Sequence, residues 1–243
     1  MKIISLNIEH HLHDPLVFEF LKKENADVIC IQELLPEKLD FYKEKLNLSA
    51  VYQLLDYELV LPELMGKHQG IAIFAKNIIA SGSTFFWGKE ENLSKPFDQF
   101  LADPNLQKNV AFLWADIKDE SGAEFKVITT HLPVTKQGEV TSFQLEVIDS
   151  LLEKLSPLHE FIFCGDTNAP RGREAFGRLA KKYKDNIPLK YKTSIDQNLH
   201  RAKGIQFMVD GLFTTPRYIA LNVKLIDGVS DHMAIVAEVT LNQ

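Results

Sequence analysis

The chain has 243 residues, of which 45% are hydrophobic and 25% charged, and its formal net charge is −6. These proportions are ordinary for a soluble globular protein, and the first residues are too polar for a signal peptide. No stretch reaches the length of a membrane span, and no linker or repeat is visible. We therefore expect a cytoplasmic monomer without stable membrane insertion, organised as one domain over residues 1–243.

The first part of the chain predicts alternating strands and helices. Residues 2–8 are typical of a buried strand, and Asp14 and Pro15 suit the N-cap and first position of a helix. Residues 27–32 predict the next strand because β-branched residues dominate them. A second helix is expected from Pro36 to about residue 46.

The remainder predicts mainly strands, with two further helices. Helical periodicity is clearest over residues 140–155, and a shorter helix is expected near 174–183. Residues 87–108 are predicted to be irregular. The expected strands are 51–55, 70–76, 78–86, 110–117, 124–130, 161–164, 206–213, 218–226 and 233–240. This order mixes hairpins with strand–helix–strand units, which favours layered sheets with outer helices.

Two features lie outside this pattern. Cys30 and Cys164 both fall in apolar strand-like runs, so we expect two buried thiols and no disulfide framework. Residues 171–203 carry ten basic and three acidic side chains, a local charge of +7 that could attract a polyanion. A solvated helix face and loop would explain the same charge equally well.

Short polar motifs follow several of the apolar runs, and their order is the strongest functional signal in the sequence. Glu33 offers the hard oxygen ligand that Mg²⁺ or Mn²⁺ prefers, whereas Asn7 at the end of a strand must find partners for its amide. The motif residues are Asn7, Glu33, His131, Asp166, Asn168, Asp231 and His232.

These residue types suit phosphodiester hydrolysis, which needs a cation, a group that orients water and a donor to the transition state. Asp166 and Asn168 are two residues apart, so in extended backbone both would face one point. We pair Asp210 with His232, because an aspartate fixes the tautomer of an imidazole and raises its basicity. A glycine-rich phosphate loop, a nucleophile elbow and zinc-type cysteine spacing are all absent from the sequence.

The motifs together resemble those of the endonuclease/exonuclease/phosphatase superfamily, the DNase I-like phosphohydrolases. The matching segments span residues 5–232, namely 5–7, 31–33, 70–73, 130–132, 165–168, 209–213 and 230–232. The resemblance implies an α+β fold, a four-layer α/β/β/α sandwich in which two mixed sheets pack face to face with helices outside. It also implies a site at one rim of the sandwich.

The resemblance further implies a role for each residue. Asn7 and Glu33 would hold the metal ion, Mg²⁺ or Mn²⁺, with Asp231 as a further ligand. Asp166 and Asn168 would position the water, and His131 would contact the phosphate. Asp210 and His232 would assist proton transfer. One departure stands out, since many relatives carry an arginine three positions before Gln144, where this chain has Thr141.

Three functions remain open at this point. The first is a nuclease or DNA-end phosphodiesterase, with Lys136 and Arg201 binding substrate and aromatic residues of 85–100 stacking on bases. The second is a phosphatase or phosphodiesterase of a lipid or small molecule, in which apolar residues 59–65 meet a lipid surface. The third is a non-catalytic scaffold, which the complete set of costly polar residues argues against.

Overall fold

The computed structural model describes residues 1–59, 61–103 and 109–242. Among these residues it forms twelve strands and five α-helices. The strands are β1 (Lys2–Asn7), β2 (Val28–Leu34), β3 (Ser49–Tyr57), β4 (His68–Ala75), β5 (Ile78–Trp87), β6 (Val110–Lys118), β7 (Glu124–His131), β8 (Ile162–Asp166), β9 (Lys184–Asp185), β10 (Asp210–Thr214), β11 (Tyr218–Ile226) and β12 (Ala234–Leu241). The helices are α1 (Asp14–Glu24), α2 (Leu39–Leu46), α3 (Phe97–Ala102), α4 (Ser142–Leu155) and α5 (Glu174–Lys182).

The strands form two mixed six-stranded sheets. The first has the order β11-β12-β1-β2-β4-β3 and the second the order β5-β6-β7-β8-β10-β9. The β1–β2 pair and the β7–β8 pair are parallel, whereas the other pairs are antiparallel. The expected α+β sandwich of two mixed sheets is therefore confirmed.

Three apolar clusters hold the four layers together. The central cluster joins inward-facing residues of the two sheets, such as Val28 and Ile73 with Val127 and Ile162. The other two pack α1 and α2 on the first sheet, and α4 and α5 on the second. Alternation of side chains along each strand explains why both faces of a strand can be buried.

Several element boundaries differ from those expected. Asp14 is the first residue of α1 rather than its N-cap, because its carboxylate accepts hydrogen bonds from Tyr42 and Lys38 instead. Pro36 begins a 3-10 turn, and the α-helix follows at Leu39. The strand expected at 206–213 begins only at Asp210.

The stretch expected to be irregular contains ordered turns. Residues Glu90–Ser94 form a 3-10 turn and Phe97–Ala102 form α3, whereas residues 104–108 of that stretch lie outside the described residues. Cys30 and Cys164 are free and buried, as expected. Within the described residues, no helix has the length and apolar character needed to cross a bilayer.

Candidate active site

Polar side chains from both sheets meet at one rim of the sandwich. Asn7 ends β1, while His131 and Asp166 end β7 and β8. Asp210 begins β10, which runs antiparallel to β8 and so starts at the same rim. The Asn7 Nδ2 atom donates to Asp166 Oδ2 over 3.2 Å, which connects the two sheets at this point.

Three of these residues are side-by-side neighbours in the second sheet. The strand register places His131 beside Asp166, and Asp166 beside Asp210. Neighbouring positions of adjacent strands share one face of a sheet, so the three side chains project together. The His131 Nε2 atom lies 3.5 Å from Asp166 Oδ2.

His232 completes this row from the segment that precedes β12. Its Nδ1 atom lies 2.8 Å from Asp210 Oδ2, and its Nε2 atom lies 3.8 Å from Asp166 Oδ2. Asp210 is itself held by Ser194, whose hydroxyl oxygen accepts the backbone N–H of Asp210 over 3.1 Å. The structure thus brings together Asp210 and His232, and it turns the second imidazole nitrogen towards the site.

Asn168 reaches the same point through a turn. The strand ends at Asp166, and Asn168 adopts a positive φ of 46°, so extended geometry does not persist between them. Its backbone N–H donates to Asp166 Oδ1 over 2.9 Å, and its side-chain amide nitrogen donates to the Leu132 carbonyl oxygen over 2.8 Å. The amide nitrogen also lies 3.3 Å from His131 Nε2.

Gln144 supports this turn from α4. Its side-chain amide donates to the Asn168 carbonyl oxygen over 2.9 Å. The helix is capped by Thr141, whose hydroxyl accepts the backbone N–H of Gln144. Thr141 therefore has a capping role at the position where the resemblance led us to expect an arginine.

Glu33 enters the site from a bulge in β2. The register of β2 with β4 shifts between Ile31 and Leu34, and Glu33 has a φ of +60°. Bulges re-aim side chains, and here Glu33 Oε1 accepts from Asn7 Nδ2 over 2.9 Å and lies 3.7 Å from His131 Nε2. The Asn7 side-chain oxygen accepts the backbone N–H of Glu9 over 3.1 Å, so the amide nitrogen is the atom that faces the carboxylates.

Charged neighbours oppose the effect of burial on the pKa of Asp166 and of His232. Burial alone would raise the pKa of Asp166, but His232 and His131 outweigh it and lower that pKa to about 2. Burial likewise opposes the charged imidazoles, yet the neighbouring carboxylates Asp210 and Asp166 hold the pKa of His232 well above its ordinary value. These shifts favour the ionised form of Asp166 and the protonated form of His232, whereas burial raises the pKa of Asp210.

Asp231 and Arg201 lie in a neighbouring group. Asp231 offers a ligand atom within 4.8 Å of atoms of Glu9 and His13. Arg201 approaches the same group, with its Nε atom 2.8 Å from Glu9 Oε1. The structure thus places Asp231 next to Glu9 as well as next to His232, its neighbour in sequence.

A cavity of about 540 Å³ opens over the site. Its floor includes Glu33, Asp166 and His232, and its apolar wall includes Ile205 and Phe207. This volume is in the range that small-molecule ligands occupy. Among the lining residues that the structure describes, Arg201 contributes the single Lys or Arg side chain.

Two arginines of the basic segment form ion pairs away from the cavity. Arg171 pairs with Asp185 over 2.8 Å, and Arg178 pairs with Asp149 and Glu174. Lys136 is exposed on a turn beside the cavity, but it does not line the cavity.

The aromatic side chains that were predicted to stack on bases lie away from the cavity. The Phe86 and Phe100 side chains are buried, while Trp87 packs edge-on against Phe143. None of Phe85, Phe86, Trp87, Phe97 and Phe100 lines the cavity over the described residues. Their interpretation as a base-stacking platform gains no support.

The residues at the rim fall within the range that a protein-family model matches. The model of the Endonuclease/Exonuclease/phosphatase family matches residues 4–232, a range that contains every side chain of the row at the rim. The chain belongs to the endonuclease/exonuclease/phosphatase family. It is therefore a phosphoester hydrolase, and the scaffold hypothesis is set aside.

Solved structures of endonuclease/exonuclease/phosphatase proteins share the fold at low identity. The human nocturnin catalytic domain with bound sulfate matches with 16% identity and a TM-score of 0.75, covering 100% of this chain and 93% of that chain. A Bacteroides thetaiotaomicron mannosyl-6-phosphatase matches with 16% identity and a TM-score of 0.72, covering 99% of each chain. ANGEL2, a 2′,3′-cyclic phosphatase in complex with adenosine-2′,3′-vanadate, matches with 14% identity and a TM-score of 0.69, covering 100% and 96%. A search of curated proteins finds no match.

The donor set fits the divalent metal that endonuclease/exonuclease/phosphatase enzymes use. Asp166, Asp210 and His232 each offer one ligand atom, and these atoms lie within 4.8 Å of one another. Glu33 adds a further carboxylate at the same rim. Carboxylate oxygens are the ligands that Mg²⁺ and Mn²⁺ prefer.

Several residues that contact the site residues were not predicted from the sequence. His10 is 1% exposed, and its ring nitrogens lie 3.4 Å from Glu33 Oε2 and 3.1 Å from Glu58 Oε2. Glu9, His13 and Ser194 were missed as well. The spacing Glu9-x-x-x-His13 directly after a strand was the available signal, whereas Ser194 lies in a loop with no local pattern.

Proposed function

We propose that this chain is a Mg²⁺- or Mn²⁺-dependent phosphodiesterase that acts on one nucleotide unit at a time, at a nucleic-acid end or in a small nucleotide. The observation that carries the proposal is the row of His131, Asp166 and Asp210 at the rim, of which His131 and Asp166 line the cavity together with His232, the partner of Asp210. An open basic groove would suit an internal site in a duplex better. Here the described lining contains one arginine and an apolar wall instead.

The metal would be held by carboxylates at the rim, with Glu33 as the first candidate and Asn7 and Asp231 beside it. A bound divalent cation would neutralise charge on the phosphoryl and leaving oxygens. Because the Asn7 nitrogen faces Glu33 and Asp166, Asn7 orients both carboxylates in this arrangement. A direct ligand role for its oxygen would require the amide to turn.

Asp166 is suited to orient the attacking water. It is ionised, and one of its oxygens accepts the Asn168 backbone N–H, which fixes the direction of the carboxylate. A fixed carboxylate can accept a hydrogen bond from water and so set the direction of its attack. The Asn168 amide, placed by Leu132 and Gln144, lies within reach of the same water or of the phosphate.

His131 and His232 are suited to donate to the phosphate. Asp166 and Glu33 raise the pKa of His131 against the opposing effect of burial, so it too favours the protonated form. Asp210 holds His232 through Nδ1, which leaves the Nε2 proton for a phosphoryl or leaving oxygen. Donors fixed before the reaction stabilise charge as it develops in the transition state.

Arg201 would contact the phosphate or sugar from the side of the cavity, and Lys136 would reach a part of the substrate outside it. Arg201 lines the cavity and is half exposed, at 54%, so its guanidinium can turn from Glu9 towards a ligand. Lys136 is exposed on a neighbouring turn.

A phosphatase or phosphodiesterase of a small molecule or lipid is the second candidate, and the apolar cavity wall is the observation that favours it. Val134 lines the cavity and is 75% exposed. The loop that was expected to meet a lipid surface is less suited, since Leu61 and Leu64 are buried against Leu35. Val60 of that loop lies outside the described residues.

A substrate panel with Mg²⁺ and Mn²⁺ tests this proposal. We expect EDTA-sensitive hydrolysis of bis-p-nitrophenyl phosphate, short single-stranded oligonucleotides and cyclic nucleotides, with little cleavage inside a closed circular duplex. Sphingomyelin vesicles, phosphoinositides, sugar phosphates and 5′-tyrosyl DNA complete the panel. Preferred hydrolysis of a lipid or sugar phosphate would overturn the nucleotide proposal in favour of the second candidate.

A further inference from the structure

A second group of ligand-type side chains lies beside the row at the rim. Glu9, His13 and Asp231 each offer one ligand atom, and all three atoms lie within 4.8 Å of one another. Two of the three residues are deeply buried, with Glu9 3% and Asp231 6% exposed. This group shares no residue with the group formed by Asp166, Asp210 and His232.

Distant parts of the chain hold the group in place. Glu9 follows β1 and has a φ of +46°, while His13 occupies the N-cap position of α1, and no hydrogen bond from its side chain caps the helix. Asp231 lies just before β12, and its Oδ1 atom accepts from the Ser230 hydroxyl over 3.2 Å. The arrangement is thus set by the same strand ends that build the active site.

One oxygen of the buried Glu9 carboxylate lacks a hydrogen bond. Its Oε2 atom lies 2.9 Å from His13 Nε2, but its buried Oε1 atom has no hydrogen bond of acceptable geometry. Arg201 Nε is 2.8 Å from Oε1, so the two are close without a well-directed bond. The guanidinium thus offsets the buried charge without a directed hydrogen bond, and a cation bound by Glu9 would take over that role.

We infer that Glu9, His13 and Asp231 form a second divalent-cation site, which would share Asp231 with the metal site proposed around Glu33. One imidazole and two carboxylates favour a transition-metal ion such as Mn²⁺, Co²⁺ or Zn²⁺, since Mg²⁺ prefers oxygen ligands and retained waters. Asp231 lines the cavity, which gives the ion a route to the site. The half-exposed Arg201 is the natural group to be displaced, so the ion and the guanidinium compete for Glu9.

Co²⁺ binding to the full chain tests this site without relying on activity. Titrations followed by visible absorption and calorimetry would compare Glu33→Gln with Glu33→Gln/His13→Gln, so that binding near Glu33 is weakened in both. We expect His13→Gln to weaken the remaining Co²⁺ binding by at least about tenfold and to change its absorption band. Arg201→Gln in the same background should tighten binding, because a competing cation is removed.

His11→Gln is the matched control, because His11 is two residues away and outside the group. It should leave the titration unchanged. Equal Co²⁺ affinity and spectra in the His13 and His11 variants would overturn the inference, whatever the substrate panel shows.

A crystal of the unaltered chain soaked in Mn²⁺ gives a reading that needs no variant. We expect an anomalous difference peak between Glu9, His13 and Asp231. A peak near Glu33 with none at this group would count against the second site, even if the His13 variants fail to fold.

Discussion

At the scale of single residues, the Asp210–His232 pair is the part of the site whose chemistry is most closely defined by contacts. Asp210 fixes Nδ1 of the imidazole and favours its protonated form. Asp210→Asn keeps the size of the side chain but removes the charge. We expect kcat to fall roughly 10²–10⁴-fold with a smaller change in KM, measured by steady-state kinetics on bis-p-nitrophenyl phosphate.

Asp185→Asn is the matched control for this variant. Asp185 lies on β9 beside β10 and pairs with Arg171, away from the cavity lining. Its loss should lower stability and leave kcat nearly unchanged. An Asp210→Asn enzyme as active as Asp185→Asn would remove the pair from the proposed mechanism.

The raised pKa of Asp56 makes the stability of the folded chain depend on pH. Burial raises the pKa of Asp56 to about 7 in the folded chain, whereas an unfolded aspartate titrates near about 3.9. Because the folded state binds this proton more tightly, the contribution of Asp56 to stability is fully present below about pH 3.9. It is lost progressively as pH rises through about 7.

Asp56→Asn removes this dependence while keeping an oxygen that can accept the Tyr57 backbone N–H. From urea unfolding in EDTA, we expect the variant to gain about 2–3 kcal/mol on the original chain between pH 5 and pH 8. Parallel curves for the two proteins over that range would show that Asp56 is not perturbed.

The side chains that meet at the rim could largely be placed from the sequence because they follow apolar runs. The ends of neighbouring strands meet at one rim of a sheet. His131, Asp166 and Asp210 could therefore be expected at the same rim before their contacts were known. Glu9 and His13 could not be placed in this way. Their position depends on a turn with positive φ and on Asp231, which is more than 200 residues away.

At the scale of elements, the close approach of β7 and β8 holds the row of side chains in register. Gly165 has a φ of +142°, and a Cβ atom there would lie 2.2 Å from the Thr130 carbonyl oxygen. Because both atoms belong to backbone, the contact cannot be relieved by a side-chain rotation. We expect Gly165→Ala to destabilise the chain by about 2–4 kcal/mol in urea unfolding and to lower activity through Asp166.

Gly177→Ala provides the contrasting substitution. Gly177 lies within α5, and nothing approaches the position of its missing Cβ atom within 4 Å. Alanine should therefore stabilise the chain by about 0.5–1 kcal/mol through helix propensity. A Gly165→Ala protein as stable as Gly177→Ala would show that the β7–β8 contact is not tight.

Element types were predicted better than element ends, for physical reasons visible in the structure. The Asp14 carboxylate binds Tyr42 and Lys38, so a tertiary contact replaces the local cap that the sequence suggested. The strand expected from 206 begins at Asp210 because the backbone N–H groups of Val209 and Asp210 donate to the Ser194 hydroxyl. Neither contact has a signature in nearby sequence.

At the scale of the whole molecule, charge distribution predicts a weak salt response. The segment with a net charge of +7 has several of its arginines in ion pairs, and one arginine lines the described cavity. For an oligonucleotide, we expect KM to rise only about threefold between 50 and 200 mM salt, as one phosphate contact implies. A rise of about a hundredfold or more would reveal an extended basic groove.

The central claim is that residues from both sheets act as one metal-dependent unit at the rim. Glu33 comes from the first sheet and Asp166 from the second, and both contact Asn7 and His131. The most direct measurement is the EDTA-sensitive kcat of Glu33→Gln, Asp166→Asn and the double variant on bis-p-nitrophenyl phosphate with Mn²⁺. We expect each single variant to lose at least about 10²-fold and the double variant to lose far less than the product of the two, since residues acting as a unit are not additive. Full metal-dependent activity in either single variant, or strictly multiplicative losses, would contradict the account.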